Sequence, residues 1–193
     1  GQPKGVMVEH RNVQRLMATT EHLYEFGPDD VWTMFHSFAF DFSVWEIWGA
    51  LLYGGRLVVV PQDVARSPDA FYALLCKEAV TILNQTPSAF RQLIAAQSAS
   101  QEHHRLRHVI FGGEALQPAS LTSWYADARN NSARLTNMYG ITETTVHVTY
   151  RPLEKADTER GNQSPIGKPI ADLNAYILDA HGAPVPIGVT GEL

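Results

Sequence analysis

The chain has 193 residues, which fits one domain or a large piece of one, and 45% of them are hydrophobic, enough to bury a core. Its formal charge of -5 comes without a basic stripe, Arg105, Arg107 and His108 forming an isolated cluster, which argues against a nucleic-acid partner. The single cysteine, Cys76, excludes a disulfide framework and a thiolate metal site and fits a reducing, cytoplasmic setting. No apolar run reaches membrane-spanning length, so no membrane contact is expected. The chain opens on Gly1 without a methionine and stops at Gly191-Glu192-Leu193, where a strand would begin, which reads as a segment of a longer polypeptide.

Gly1 to Gly5 reads as a loop and Val6-Met7-Val8 as a short strand. Helical spacing of Val13, Leu16 and Met17 predicts a helix from His10 to Leu23. After the turn at Gly27-Pro28-Asp29-Asp30, Val31 to Phe38 reads as a buried strand. Ser43 and Glu46 have capping-box spacing, which predicts a helix from about Val44 that ends at Gly54-Gly55. Arg56 to Val60 is a strand. Ser67-Pro68 opens a helix with Phe71, Leu74 and Leu75 inward, Val80 to Leu83 is a strand, and Thr86-Pro87 opens a helix carrying Phe90, Leu93 and Ile94. Ser98 to His104 reads as polar and exposed, with His103-His104 in solvent. Leu106 to Phe111 is a strand closed by Gly112-Gly113, Pro118 to Ala128 a helix, and Leu135 begins a fifth strand. Strand and helix alternate five times, which predicts an α/β fold with a parallel sheet and helical crossovers over residues 1–150. Residues 151–193 read as a β-rich tail: a charged loop from Leu153 to Ser164, a turn at Gly167-Lys168-Pro169, and strands over Asn174 to Asp179 and Pro184 to Leu193.

An open parallel sheet binds ligands at the carboxyl ends of its strands. Four of the five ends carry polar or glycine-rich turns: Phe40-Asp41, Asn84-Gln85-Thr86, Gly112-Gly113-Glu114-Ala115 and Asn137-Met138-Tyr139-Gly140. Asp41 lies among Phe38, Phe40, Phe42 and Trp45 with no basic residue near it in sequence. A carboxylate buried among rings needs a partner; either a ligand ammonium supplies it or Asp41 caps the following helix. Gly112-Gly113 is either a flat platform for an aromatic ring or a plain turn. The stretch from Asn137 to His147 adds Thr142, Thr144 and Thr145 hydroxyls and Glu143, an oxygen ligand of the kind Mg²⁺ takes, to a glycine that permits close backbone approach. That set suits a phosphate-bearing, metal-bridged ligand, or else a helix start capped by Thr142. Lys4 beside Gly5 is either the tail of a phosphate-binding loop or a surface turn. The eight histidines show no zinc-ligand spacing, and no Gly-x-Ser-x-Gly elbow is present.

Taken together these stretches resemble the adenylation domains of non-ribosomal peptide synthetases, within the adenylate-forming superfamily. Gly1-Gln2-Pro3-Lys4-Gly5 resembles the end of the phosphate loop, Phe40-Asp41-Phe42-Ser43 the Phe-Asp-x-Ser motif, Asn137 to Glu143 the Asn-x-Tyr-Gly-Pro-Thr-Glu motif with Ile141 in place of proline, and Gly191-Glu192-Leu193 the start of a further motif. The resemblance implies a flavodoxin-like subdomain of a large N-terminal adenylation domain. It implies ATP- and Mg²⁺-dependent conversion of an amino acid to aminoacyl-AMP with release of pyrophosphate, then transfer to the phosphopantetheine thiol of a peptidyl carrier domain elsewhere in the synthetase. Carried over by motif, Thr142 and Glu143 are the catalytic positions, Glu143 the Mg²⁺ ligand. Lys4, Gly113, Glu114, Ala115, Asn137, Tyr139, Gly140 and Thr142 contact the nucleotide. Asp41 receives the substrate ammonium. The side-chain pocket is Asp41, Phe42, Trp45, Asn84, Ile110, Gly112, Met138, Val146 and His147, a combination similar to that associated with threonine: Asn84 and His147 bond a hydroxyl while Ile110, Met138 and Val146 take a methyl. His147 is alternatively a hydrogen-bonded core histidine. The phosphate loop's front, a ribose-binding aspartate and a C-terminal lysine lie outside the chain, so the piece alone is expected to be catalytically incomplete. An acyl- or aryl-acid ligase, which has no use for Asp41, and a non-catalytic binding or structural module are the other readings.

Overall fold

The computed structural model describes residues 5–161 and 163–193. Lys4 and the proposed phosphate-loop remnant before it lie outside the described residues. Seven strands form one sheet in the order β2-β1-β3-β4-β5-β6-β7. Strands β1 (Val31–Met34), β2 (Arg56–Val59), β3 (Ile82–Gln85), β4 (His108–Phe111) and β5 (Arg134–Tyr139) are parallel, and β6 (Thr149–Leu153) and β7 (Lys168–Pro169) add antiparallel to the β5 edge. The parallel part has the 2-1-3-4-5 order of a doubly wound sheet, whose crevice opens where β1 and β3 diverge. Only Trp32 and Ile82 are paired between those two strands.

The strands β3 and β4 are buried at every position because helices cover both faces. Helices α1 (His10–Tyr24) and α2 (Phe42–Leu52) lie on one face, where Leu16, Met17, Trp32, Trp45, Ile82, Ile110 and Met138 form a core. Helices α4 (Pro68–Lys77), α5 (Pro87–Ala99) and α6 (Thr122–Ala126) contribute to the other, with Phe71, Leu83, Phe90, Val109 and Trp124. A one-turn helix, α3 (Gln62–Ala65), follows β2. Ser67 and Thr86 cap α4 and α5 by accepting from Ala70 and Ala89 amides, as their Ser-Pro and Thr-Pro signatures predict.

Several local expectations fail for identifiable reasons. Residues Val6 to Val8 are exposed and form no strand. Strand β1 stops at Met34 because the Phe35 and His36 amides turn to the Glu46 carboxylate, at 3.3 and 3.2 Å, instead of a neighbouring strand. That use of Glu46 also cancels the capping box: α2 starts at Phe42 with Asp41 at its N-cap, and Ser43 is buried inside the helix without a partner. The helix expected over Pro118 to Ala128 breaks into 3-10 turns around α6, with the Asp127 carboxylate accepting from the Arg129 amide and guanidinium. His104 is not exposed: it stacks on Trp124 at 5.4 Å and bonds Asn130 at 2.8 Å.

Beyond β5 the expected charged loop holds part of β6 and a 3-10 turn, Lys155–Glu159, and β7 falls where a turn was expected. β6 crosses position 150. The tail strands reduce to two isolated bridges, Leu178 with Pro184 and with Glu192, and Tyr176, Ile177, Ile187 and Val189 stand exposed around them. Among the described residues no helix is long and apolar enough to cross a membrane.

Candidate functional site

The site lies at the carboxyl ends of β1, β3, β4 and β5. Along β3, β4 and β5 the pleat alternates faces, so Asn84, Ile110 and Thr136 form one row, register partners across three strands. Ile110 and Met138 share the core under α1 and α2. Above this layer is a cavity of about 250 Å³ whose lining includes Asp41, Phe42, Gly112, Met138, Val146 and His147. Trp45, Asn84 and Ile110, expected in the same pocket, have 0% exposure and form the layer beneath. The Trp45 indole donates to Asn84 Oδ1 at 3.0 Å, and its ring meets His147 edge-on at 4.9 Å. Asn84 Oδ1 is thereby committed, and Asn84 Nδ2 and His147 Nε2 are left buried without partners.

Asp41 sits at the N-cap of α2, yet its side chain caps nothing. It lines the 250 Å³ cavity and also a neighbouring cleft of about 570 Å³, shared with Trp48, Thr142 and Glu143. Of its ring neighbours, Phe38 points to solvent at 79% exposure, and Asp41 itself is half-buried rather than enclosed. Gly112 has no Cβ because one would stand 3.3 to 3.4 Å from Phe42 and His147.

A second cavity of about 410 Å³ is lined by Gly113, Glu114, Ala115, Asn137, Tyr139 and Gly140, six of the residues expected around a nucleotide, and is closed by Ile141, Ser164 and Ile166. Gly113 has φ +80°, and a Cβ there would meet the Phe40 ring at 3.0 Å. The Glu114 carboxylate is engaged by the Ser88 amide and hydroxyl, so it shapes the wall. Asn137 donates to the Pro165 carbonyl at 2.8 Å, and the Leu116 amide to Ser164 Oγ at 3.0 Å. These two bonds bring residues 164–166 over the cavity. No local signal in the charged segment could have announced that role, because the partners are 28 and 48 residues away in sequence.

Thr142 and Glu143 are exposed on a 3-10 turn, Thr142–Thr144, and face the Asp41 side rather than the 410 Å³ cavity. Among the described residues no three His, Cys, Asp or Glu side chains are grouped to hold a metal. A single free carboxylate fits Mg²⁺ nonetheless, since that ion takes one or two carboxylates and completes its shell with phosphate oxygens and water. The turn is followed by Thr145 and Val146, both at positive φ (66° and 63°) despite β-branched side chains. Strain of this kind, of order 1–3 kcal/mol per residue, persists where the surroundings over-determine it and clusters at functional sites. Nothing in the Thr-Thr-Val sequence announces it.

Burial pushes His147 down to about 3 and, with the nearby Arg107 and Arg134 charges, His108 down to about 4. Both imidazoles are therefore neutral in the folded protein. In the unfolded chain they take a proton near pH 6.5. Their contribution to stability is thus full above about pH 6.5 and is lost as pH falls toward the folded values, about 2 kcal/mol for each by pH 5. Glu46, raised by burial, works in the opposite sense. Urea midpoints should fall between pH 7 and pH 5, and His147→Asn should flatten the profile; equal slopes in both proteins would contradict this.

The chain matches a known class. The family model described as "AMP-binding enzyme" matches residues 1–193, and the chain belongs to that family of ATP-dependent ligases. Its relatives narrow the class to segments of nonribosomal peptide synthetases. All 193 residues align at 57% identity with 8% of a dimodular nonribosomal peptide synthase of Bacillus subtilis (strain 168), and at 56% with 2% of malpinin synthetase of Mortierella alpina. Syringomycin synthase SyrB1 of Pseudomonas syringae pv. syringae is 48% identical, with 31% of its length covered. The chain thus spans under a third of each of these relatives. Among solved structures, the nonribosomal peptide synthetase FmoA3 superposes with a TM-score of 0.86 at 28% identity, over 95% of this chain and 20% of that one.

Proposed function

We propose that the chain is the amino-acid-selecting and nucleotide-binding part of an adenylation unit in a non-ribosomal peptide synthetase, and that the amino acid is L-threonine. The observation that carries this reading is Asp41: a carboxylate at a helix start that caps nothing and lines a cavity with Phe42, Met138, Val146 and a neutral His147, Glu143 being the other carboxylate on its wall. An ammonium group supplies its missing partner. The substrate side chain then meets His147, with Asn84 Nδ2 in the layer below. Asn84 Oδ1 is held by Trp45, so the amide offers a donor, and neutral His147 adds a second polar contact without a charge. A hydroxyl suits this pair, and the apolar surface of Met138 and Val146 suits a methyl. A pocket that bonds a hydroxyl rejects substrates lacking it far more strongly than one that discriminates by a methyl alone.

In this reading the adenine lies in the 410 Å³ cavity against Gly113, Ala115 and Tyr139, and Gly140 lets the Val146–His147 backbone pack against the strand end that leads to Thr142 and Glu143. Thr142 donates to the phosphate that the substrate carboxylate attacks, and Glu143 holds Mg²⁺. Bound Mg²⁺ supplies charge neutralisation on the phosphates. The chain's residues contribute orientation and electrostatic stabilisation, with no side chain required to transfer a proton. The aminoacyl group then passes to a phosphopantetheine thiol on a peptidyl carrier domain of the same synthetase. The sheet continues past the boundary expected at residue 150 through β6 and β7, and the tail that begins the next, β-rich unit starts after Pro169. The protein works in the cytoplasm, without nucleic acid or membrane as partner.

Amino-acid-dependent ATP–pyrophosphate exchange by the full-length protein tests the reading. Threonine should exceed valine and serine by at least tenfold in kcat/KM, about 1.4 kcal/mol of discrimination. A preference for valine or serine would sink the pocket assignment.

A further inference from the structure

Glu46 is fully buried on α2, and its only basic partner among the described residues is His36. It accepts three bonds from the segment that leaves β1: the Phe35 amide at 3.3 Å, the His36 amide at 3.2 Å and His36 Nδ1 at 3.0 Å. The His36 ring lies face-on to Phe42 (4.6 Å, 22°) and edge-on to Phe40 (5.4 Å, 70°). It therefore touches the rings on both sides of Asp41. Between these anchors Ser37 closes the turn, its carbonyl accepting from the Phe40 amide at 2.8 Å and its hydroxyl from the Ala39 amide at 3.3 Å. The Asp41 carbonyl then starts α2 by accepting from the Val44 amide. The loop is thus tied at one end to β1 and at the other to the helix that carries Glu46.

We propose that Glu46 and His36 are positioning residues for Asp41: the carboxylate pins the 35–41 loop and the imidazole wedges Phe40 and Phe42, so that Asp41 faces the cavity in one orientation. This rests on the reading of Asp41 as the partner of the substrate ammonium. A buried carboxylate with no Lys or Arg is costly unless its hydrogen bonds are complete. Here they are completed by the two backbone amides and the ring that shape the loop. Burial raises the Glu46 carboxyl, and the bonds from His36 and Phe35 work against that rise by favouring the carboxylate.

The test is steady-state ATP–pyrophosphate exchange by the full-length protein carrying Glu46→Gln, with the preferred amino acid and with the α-hydroxy acid of the same side chain. The carboxamide of that variant would turn an N–H toward one of the three donors and unseat the loop. The amino-acid KM should rise about tenfold, the loss expected for one bond to a charged group. The α-hydroxy acid, which brings no ammonium to Asp41, should keep its KM, and the ATP KM should stay within twofold. An unchanged amino-acid KM, or equal losses on both acids or on ATP, overturns the proposal. If Glu46→Gln does not fold, His36→Phe keeps the ring contacts, removes the Nδ1 donor and is judged by the same readouts. Full activity of Asp41→Ala would mean that the ammonium reading itself had failed; an inactive Asp41→Ala beside an unaffected Glu46→Gln would mean that only the positioning role had.

Discussion

Asp41→Ala in the full-length protein is expected to lower kcat/KM for amino-acid activation by roughly 10³-fold, about 4 kcal/mol. The size follows from what the substitution leaves behind. The substrate ammonium must leave water to enter a cavity bounded by Phe42, Met138, Val146 and a neutral His147. Without Asp41 no side chain lining that cavity offers it an anion except Glu143, which the proposed reading assigns to Mg²⁺. Fold stability should change little, because the Asp41 side chain makes no capping bond and it is the backbone carbonyl that starts α2. ATP–pyrophosphate exchange and a urea titration on the same variant separate the two effects. Exchange within threefold of the parent would remove the ammonium partner from the mechanism.

Gly140→Ala should cost about 3 kcal/mol or more of stability and abolish exchange. A Cβ at position 140 would stand 2.2 Å from the Val146 carbonyl oxygen and 2.8 Å from His147 Cα. Both are backbone atoms, so no rotamer change relieves the clash. The backbone they belong to is already at positive φ at Thr145 and Val146, and it is tied to β5 by the Val148 amide on the Tyr139 carbonyl at 2.7 Å. Relief would therefore have to displace His147 and the Thr142–Thr144 turn together, which couples the amino-acid cavity to the phosphate side. A folded Gly140→Ala protein with unaltered denaturation midpoint would contradict this packing.

The two variants also show where sequence reasoning stops. Asp41 and Gly140 are conspicuous in the chain, one as a lone carboxylate among rings, the other as a glycine at a strand end. Their neighbours in space are not. The clash partner of Gly140 is the Val146 carbonyl, reached only because Thr145 and Val146 adopt a conformation their side chains disfavour. Glu46 was legible as a cap residue and serves instead as the anchor of the preceding loop, since a buried carboxylate binds whichever amides the fold brings to it. His104 sits in a run of polar residues, yet it is buried by Trp124 and by Asn130, the latter 26 residues further along the chain.

Local sequence suffices for the alternation of strand and helix, the Ser67 and Thr86 caps, and the strand-end turns that carry the cavities, because each depends on periodicity or on residues within one turn. Strand order, the division of the pocket residues into a lining and a layer beneath it, the unpartnered nitrogens of Asn84 and His147, and the closure of the second cavity by residues 164–166 are decided only in three dimensions. They arise from pairings between stretches far apart in the chain, such as Asn84 with Ile110 and Asn137 with Pro165, where the local pattern carries no record of which partner it will meet.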